Sequence, residues 1–273
     1  MEVVILGSGS PLPDPNRAGP STLVRTAIGD LLFDCGRGVL MRAAAAQSGA
    51  GAFTGLFITH LHSDHITDFN DVYTSRWVMS FAPNPLAVYG PVGTARLVAL
   101  TEEMLEPDIG YRLEHHEDLT WRPSATVVEI ESGVALDTEA VQVLAQPTAH
   151  APVHPTVGFR VQEGDSSVVI AGDTIPCEGL DTLCAGADVL VHTVLRRDLI
   201  EAIGIPRLID TIDYHSDVAD AARTATRGGV KKLVLTHLVP APAPEAEHEW
   251  LEQAAAHFDG EIIIARDLTA VAV

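Results

Sequence analysis

Residues 59–65 read THLHSDH, three histidines and an aspartate within seven positions, directly after the apolar run Leu56, Phe57, Ile58. Imidazole nitrogens and carboxylate oxygens are the donors that zinc and similar divalent ions take. If the apolar run is a buried strand, His60 and His62 share one side of its extended end, while Asp64 and His65 fall on the bend beyond. Four donors in six residues exceed what one ion with an open position draws from one loop, so the spacing points to two adjacent ions. A solvated His-rich turn is the bland reading, and the buried strand in front of it argues against that.

Two ions need more ligands than one loop supplies. His150 lies in TAHAPVH just before an apolar stretch, Asp173 follows the apolar run VVIAG, and His237 follows KKLVLT. The last two are polar residues at the C-terminal ends of buried strands, where open sheets place their sites. Each alone is as often structural as functional; together they favour function.

The elements that must position these residues are legible as two strand-rich halves. Strand patterns fall at 3–6, 22–24, 31–33, 56–58 and 86–89, then at 126–130, 141–144, 157–161, 168–170, 189–191, 233–235 and 261–265. Helical periodicity marks 39–47, 93–105, 217–227 and 245–258. No Ser/Gly-rich linker or short-period repeat divides them, so residues 1–273 read as one α/β domain with sheets inside and helices outside. The uncharged stretches 77–95 and 140–159 carry three prolines each, which suits loops and strands rather than a membrane-spanning helix.

Acidic residues outnumber basic ones 37 to 17, a formal charge of −20 that disfavours nonspecific attraction to nucleic acid or to an anionic membrane. Bound divalent ions would offset it only locally. Cys35, Cys177 and Cys184 cannot all pair and lack zinc-ribbon spacing, which favours reduced thiols in a cytoplasm, and MEVVILGSGS enters a β-rich run without the basic leader of a secretory signal.

The motifs LGSGSP (6–11), FDCG (33–36), THLHSDH (59–65), AH and GFR (149–150, 158–160), AGDT (171–174), Tyr214-His215-Ser216 and LTHL (235–238) run in order along nearly the whole chain. In this the sequence resembles the metallo-β-lactamase superfamily, and within it the ribonuclease Z branch of zinc phosphodiesterases. The resemblance implies a four-layer αββα sandwich with two zinc ions between its sheets. His60, His62 and His150 would hold the first ion, Asp64, His65 and His237 the second, and Asp173 would bridge both. It also implies Asp64 as catalytic base and His215 as the group that stabilises or protonates the leaving oxygen. Asp34 would anchor the metal loop. The substrate would be a phosphodiester, a precursor transfer RNA with a 3′ trailer in the family, and the assembly a homodimer, to which the apolar stretch 77–81 contributes if exposed.

Three departures stand out. Thr193 occupies the place of a glutamate that forms a proton relay in the family, and Arg37-Gly38-Val39 replaces an acidic residue followed by Thr-Gln. Residues 161–172 leave room only for a tight hairpin around Glu163-Gly164-Asp165, where transfer-RNA-processing members typically carry a protruding arm. A local basic patch such as Arg223, Arg227, Lys231 and Lys232 could grip an RNA, but four basic residues around a helix end are more often a solvated face. A hydrolase of small esters such as aryl sulfates or lactones is therefore the competing enzyme reading. A noncatalytic metal-binding scaffold is disfavoured because all seven ligand positions are filled. His154 could face substrate and His192 could be an interior histidine; His115, His116, His248 and His257 read as solvated.

Overall fold

The computed structural model describes residues 1–273. The first half forms β1 (Glu2–Gly7), β2 (Ser21–Thr26), β3 (Gly29–Phe33), α1 (Val39–Ala45), β4 (Phe53–Phe57), α2 (Ser63–Ile66), α3 (Phe69–Val78), β5 (Leu86–Gly90), α4 (Thr94–His115) and β6 (Ala125–Glu129). The second forms β7 (Gly133–Asp137), β8 (Val141–Pro147), β9 (Val157–Glu163), β10 (Ser166–Ile170), α5 (Glu178–Cys184), β11 (Val189–Leu195), α6 (Arg197–Ile203), α7 (Pro206–Ile209), α8 (Val218–Gly228), β12 (Lys232–Val239), α9 (Glu247–Ala255), β13 (Glu261–Ile264) and β14 (Thr269–Ala272).

Two seven-stranded sheets result, ordered β14-β1-β2-β3-β4-β5-β6 and β13-β12-β11-β10-β9-β8-β7. Strand side chains alternate between faces, and here both faces are buried. On β1, Val3 and Ile5 enter the core between the sheets while Val4 and Leu6 pack outward under α1 and α3. On β11, Val189 and Val191 face inward, and Leu190 and Val194 pack against α5, α8 and α9. The chain is therefore the αββα sandwich expected from the motifs. Phe33, Phe57 and Tyr89 stack at 4.9 and 4.6 Å along the inner face of the first sheet, ending beside the histidine loop.

Both sheets are antiparallel at one side and parallel at the other: β3 to β6 are parallel, as are β10 to β13. Parallel neighbours end at the same edge, so the residues after β4 and β10 and the end of β12 come together there.

Several elements differ from the sequence expectation. The stretch 77–95, read as loops and strands, includes the end of α3 and the first turn of α4. Phe69, Val72, Tyr73, Arg76 and Trp77 form the buried face of α3, a helical spacing interrupted by a charge. That charge is buried because the Arg76 guanidinium donates to the carbonyls of Ala50, Phe53 and Asn84. Helix α4 continues past Pro107 to His115, held by Val98, Thr101 and Ile109; packing outweighs the one backbone bond a proline removes. The hairpin at Glu163 is tight as expected, with Gly164 left-handed at φ 56°. Glu163 lies 3.4 Å from the Met1 ammonium and accepts from Ala27 N, which ties the hairpin to the first sheet. No helix is long and apolar enough to cross a membrane.

Candidate metal centre

The THLHSDH loop leaves β4 and enters the single turn α2, with His62 extended at its start. Backbone bonds fix it: Cys35 N donates to His65 O at 2.8 Å, and Asp68 N donates to Cys35 O at 3.0 Å. Gly36 lies so close that a β-carbon there would come within 2.5 Å of the Asp64 carbonyl oxygen. Gly172, at φ 65°, lets Asp173 turn inward, and a β-carbon there would meet Thr59 at 2.8 Å.

The structure brings all seven expected ligand residues to one place. One group is His60, His62, His150 and Asp173 and the other Asp64, His65 and His237, the donor atoms within each lying within 4.8 Å of one another. Asp173 is at the centre. Its Oδ2 is 3.8 Å from His60 Nε2, 3.4 Å from His65 Nε2, 3.9 Å from His150 Nε2 and 3.6 Å from His237 Nε2. His215 Nε2 approaches the same oxygen to 3.2 Å. Asp64 Oδ2 is 3.2 Å from His237 Nε2 and 3.6 Å from His65 Nε2. All seven are buried except His62, which marks the mouth of the site together with His215 and Tyr214.

The far nitrogens of four of these rings, those of His60, His65, His150 and His215, are pinned. His65 Nδ1 donates to Asp34 Oδ2 at 2.8 Å, His150 Nδ1 to Tyr214 O at 2.7 Å, and His215 Nδ1 to Thr211 O at 2.9 Å. His60 Nδ1 lies 3.0 Å from the Thr59 hydroxyl, which donates to Asp34. Fixing Nδ1 as the donor leaves Nε2 with a lone pair facing the centre, the state a metal ligand needs.

The residues present fit a metal pair. His65 Nε2 and Asp173 Oδ1 are buried polar atoms in the cluster with no hydrogen-bond partner, a costly condition without a ligand. His62 Nδ1 sits 3.1 Å from His60 Nε2 and 3.2 Å from His150 Nε2. Three lone-pair-bearing nitrogens so close satisfy one another poorly and a cation well. In the ion-free chain the charges sort accordingly. Burial works against the Asp173 carboxylate, yet His237 and His65 hold it well below the usual range, while Asp173 and Asp34 hold His65 well above its own against the same burial.

Asp34, left-handed at φ 56°, takes the anchoring place expected of it. It accepts from Thr59 N at 2.8 Å as well as from the Thr59 hydroxyl and His65. Asparagine tolerates the same backbone conformation, so Asp34→Asn should fold normally. It should weaken metal affinity about 10- to 100-fold, measured by competition with a chromogenic chelator; unchanged affinity would remove Asp34 from the account.

Thr193, in the place of the family's glutamate, does not reach His215. Its hydroxyl donates to Gly172 O at 2.9 Å, and the backbone carbonyl of Thr211 orients His215 instead. Beneath the cluster lies a cavity of about 20 Å³ lined by Asp34, His65, Gly172, Thr193 and Thr236, among others. His215 enters the site because Asp217 caps α8, accepting from Asp220 N at 2.8 Å in a reciprocal capping box. His154 lies outside both ligand groups.

His192 is an interior histidine. It is fully buried, with Nδ1 on Thr193 O and Nε2 unpartnered, and burial pushes its pKa down to about 4. The unfolded chain therefore takes up this proton as pH falls through about 6.5, whereas the folded chain resists until about 4. Stability of the metal-stripped protein should fall across that window by up to about 3 kcal/mol on this residue's account and level off below it. Urea unfolding of His192→Leu from pH 7 to 4 should show a shallower decline than the parent; equal slopes would contradict the assignment.

Two sheets enclosing a histidine–aspartate cluster at their shared edge define a metal-dependent hydrolase of the β-lactamase type. The model of the Beta-lactamase superfamily domain matches residues 30–238. A "Ribonuclease Z" of Mycolicibacterium gilvum (strain PYR-GCK) is 53% identical over 275 aligned positions, covering 100% of this chain and 96% of that protein. Among solved structures, the human tRNase Z, short form (ELAC1), superposes with TM-score 0.73 at 26% identity, covering 100% of this chain and 99% of that one. The metallo-beta-lactamase fold protein YhfI of Bacillus subtilis superposes at 0.74 with 21% identity, covering 99% and 98%, a likeness of fold. The chain belongs to the ribonuclease Z family of the β-lactamase superfamily.

The candidate ligands were readable from side chains, but their supports were not. Thr59 carries a signal only in hindsight, inside the THLHSDH motif, and Tyr214 and Thr211 act through backbone carbonyls that no residue type announces.

Proposed function

We propose that the chain is a ribonuclease Z: a dinuclear-metal endoribonuclease that hydrolyses the phosphodiester joining a transfer RNA to its 3′ trailer. The observation that carries this is the Asp173 oxygen set among five imidazole nitrogens, with Asp64 and His62 completing the two groups. His60, His62 and His150 would hold one ion, Asp64, His65 and His237 the other, with Asp173 between them. Five imidazoles and two carboxylates suit zinc. Such ions supply a water that ionises near neutral pH and positive charge for a phosphoryl oxygen. Asp64 receives the proton of the attacking water on a carboxylate oxygen. His215, oriented by Thr211 and open to the mouth, stabilises or protonates the leaving oxygen.

One departure that weakened the RNA reading, the missing arm, loses force. The Mycolicibacterium relative is matched over 96% of its own length, so a long arm is not a feature this chain lacks beside it. The basic cluster of Arg223, Arg227, Lys231 and Lys232 is paired with Asp220, Asp181, Asp188 and Glu261, which leaves it little charge for phosphate. Arg37, in no ion pair and next to Gly36, whose backbone abuts the Asp64 carbonyl, is the better candidate for a phosphate contact.

A homodimer is supported by Met79 and Phe81, 71% and 99% exposed, and by Leu100, Met104 and Tyr111 along the exposed face of α4, while Trp77 belongs to the core. Sedimentation showing only single chains at micromolar concentration would overturn it. Three free cysteines accord with a cytoplasmic setting.

The functional test is a side-by-side assay of zinc- and manganese-loaded protein on a precursor transfer RNA and on a small aryl phosphodiester. Cleavage of the RNA at its trailer junction is expected; turnover of the small ester alone would refute the transfer-RNA assignment.

A further inference from the structure

Tyr214 precedes His215, and the fold uses only its backbone: the carbonyl accepts from His150 Nδ1 at 2.7 Å. Any residue could supply that carbonyl, yet the position carries a large aromatic ring at the mouth of the site. The ring is half-buried, with its centroid 5.2 Å from that of His150 at 75° and 4.8 Å from that of His215 at 45°. No hydrogen bond is made by its phenol; the one bond at Tyr214 on the site side is that of its backbone carbonyl. An aromatic ring, packed against His150 and otherwise unused, offers apolar surface one residue from the group assigned to the leaving oxygen.

We propose that the Tyr214 ring is the stacking platform for the base of the nucleoside on the leaving-group side of the scissile phosphodiester. The inference rests on the RNA-cleaving function proposed above. Unpaired bases at an RNA end expose π-faces that stack on aromatic side chains whatever their sequence. His215 fixes which nucleoside is meant, since it faces the leaving oxygen and Tyr214 adjoins it. The carbonyl role and the ring role are separable, because leucine retains the first and loses the second.

Steady-state cleavage of precursor transfer RNA by Tyr214→Leu and Tyr214→Phe tests the proposal, with metal content measured on each protein. Tyr214→Leu should raise KM about five- to tenfold with two ions retained and a kcat within about twofold of the parent, since stacking is made equally in ground and transition states. Tyr214→Phe should restore the parental KM. An RNA made abasic at the leaving-side nucleoside should abolish the difference between parent and Tyr214→Leu. Impairment of Tyr214→Phe equal to that of Tyr214→Leu would assign the role to the hydroxyl and overturn stacking. So would a difference that survives in the abasic RNA, or loss of metal from Tyr214→Leu. These outcomes, with an active parent, defeat the stacking inference alone; a parent inert on the RNA defeats the functional reading and this inference together.

Discussion

Replacing Asp173 by asparagine should leave a folded protein with less than two bound ions and phosphodiester turnover reduced about a thousandfold or more. The expectation follows from position. Asp173 Oδ2 is the single atom within 3.9 Å of the Nε2 atoms of His60, His65, His150, His215 and His237, and asparagine takes away its charge while keeping its shape. The fold should survive because Asp173 follows the end of β10 on a turn set by Gly172, outside the packed strand pairs. Metal analysis and circular dichroism on the same preparation separate the two effects. A variant that keeps both ions and its turnover would show that the carboxylate does not bridge.

The second large effect is at Asp64. Asp64→Ala should abolish turnover while leaving the fold and the His60, His62, His150 and Asp173 group intact. Asp64→Asn is the sharper variant, since it keeps an oxygen donor but cannot take a proton. Its metal content should stay closer to the parent's while kcat falls about 10²- to 10⁴-fold, the range of a lost general base. A structural role alone would lower stability and metal content together and leave kcat per bound metal unchanged. Retained turnover in Asp64→Asn would end the base assignment.

What could be read in the sequence follows from where the signal lies. THLHSDH was legible because four donors crowd one loop, and Asp173 and His237 because each is a polar residue where a buried strand ends. The parallel order of β10, β11 and β12 then delivers them to the same edge. Strand-like apolar runs in both halves likewise announced sheets inside and helices outside. Less legible were α3, whose helical stripe passes through the buried charge of Arg76, and the edge strands β7 and β14, too short and too exposed to show a pattern. The orientation of His150 and His215 could not be foreseen at all, because the atoms that fix it are the carbonyl oxygens of Tyr214 and Thr211. The consequence of Thr193 was half legible: a hydroxyl cannot carry the family's charge, but that it turns to Gly172 is visible only in three dimensions.

The most direct test of the account is a reconstitution titration. Protein stripped with a chelator is titrated with zinc while cleavage of a precursor transfer RNA is followed. The two groups of ligands around Asp173 require an inert stripped protein whose activity rises and saturates at two equivalents per chain. Full cleavage without added metal, or saturation at one equivalent, would contradict the dinuclear centre on which the proposed function stands.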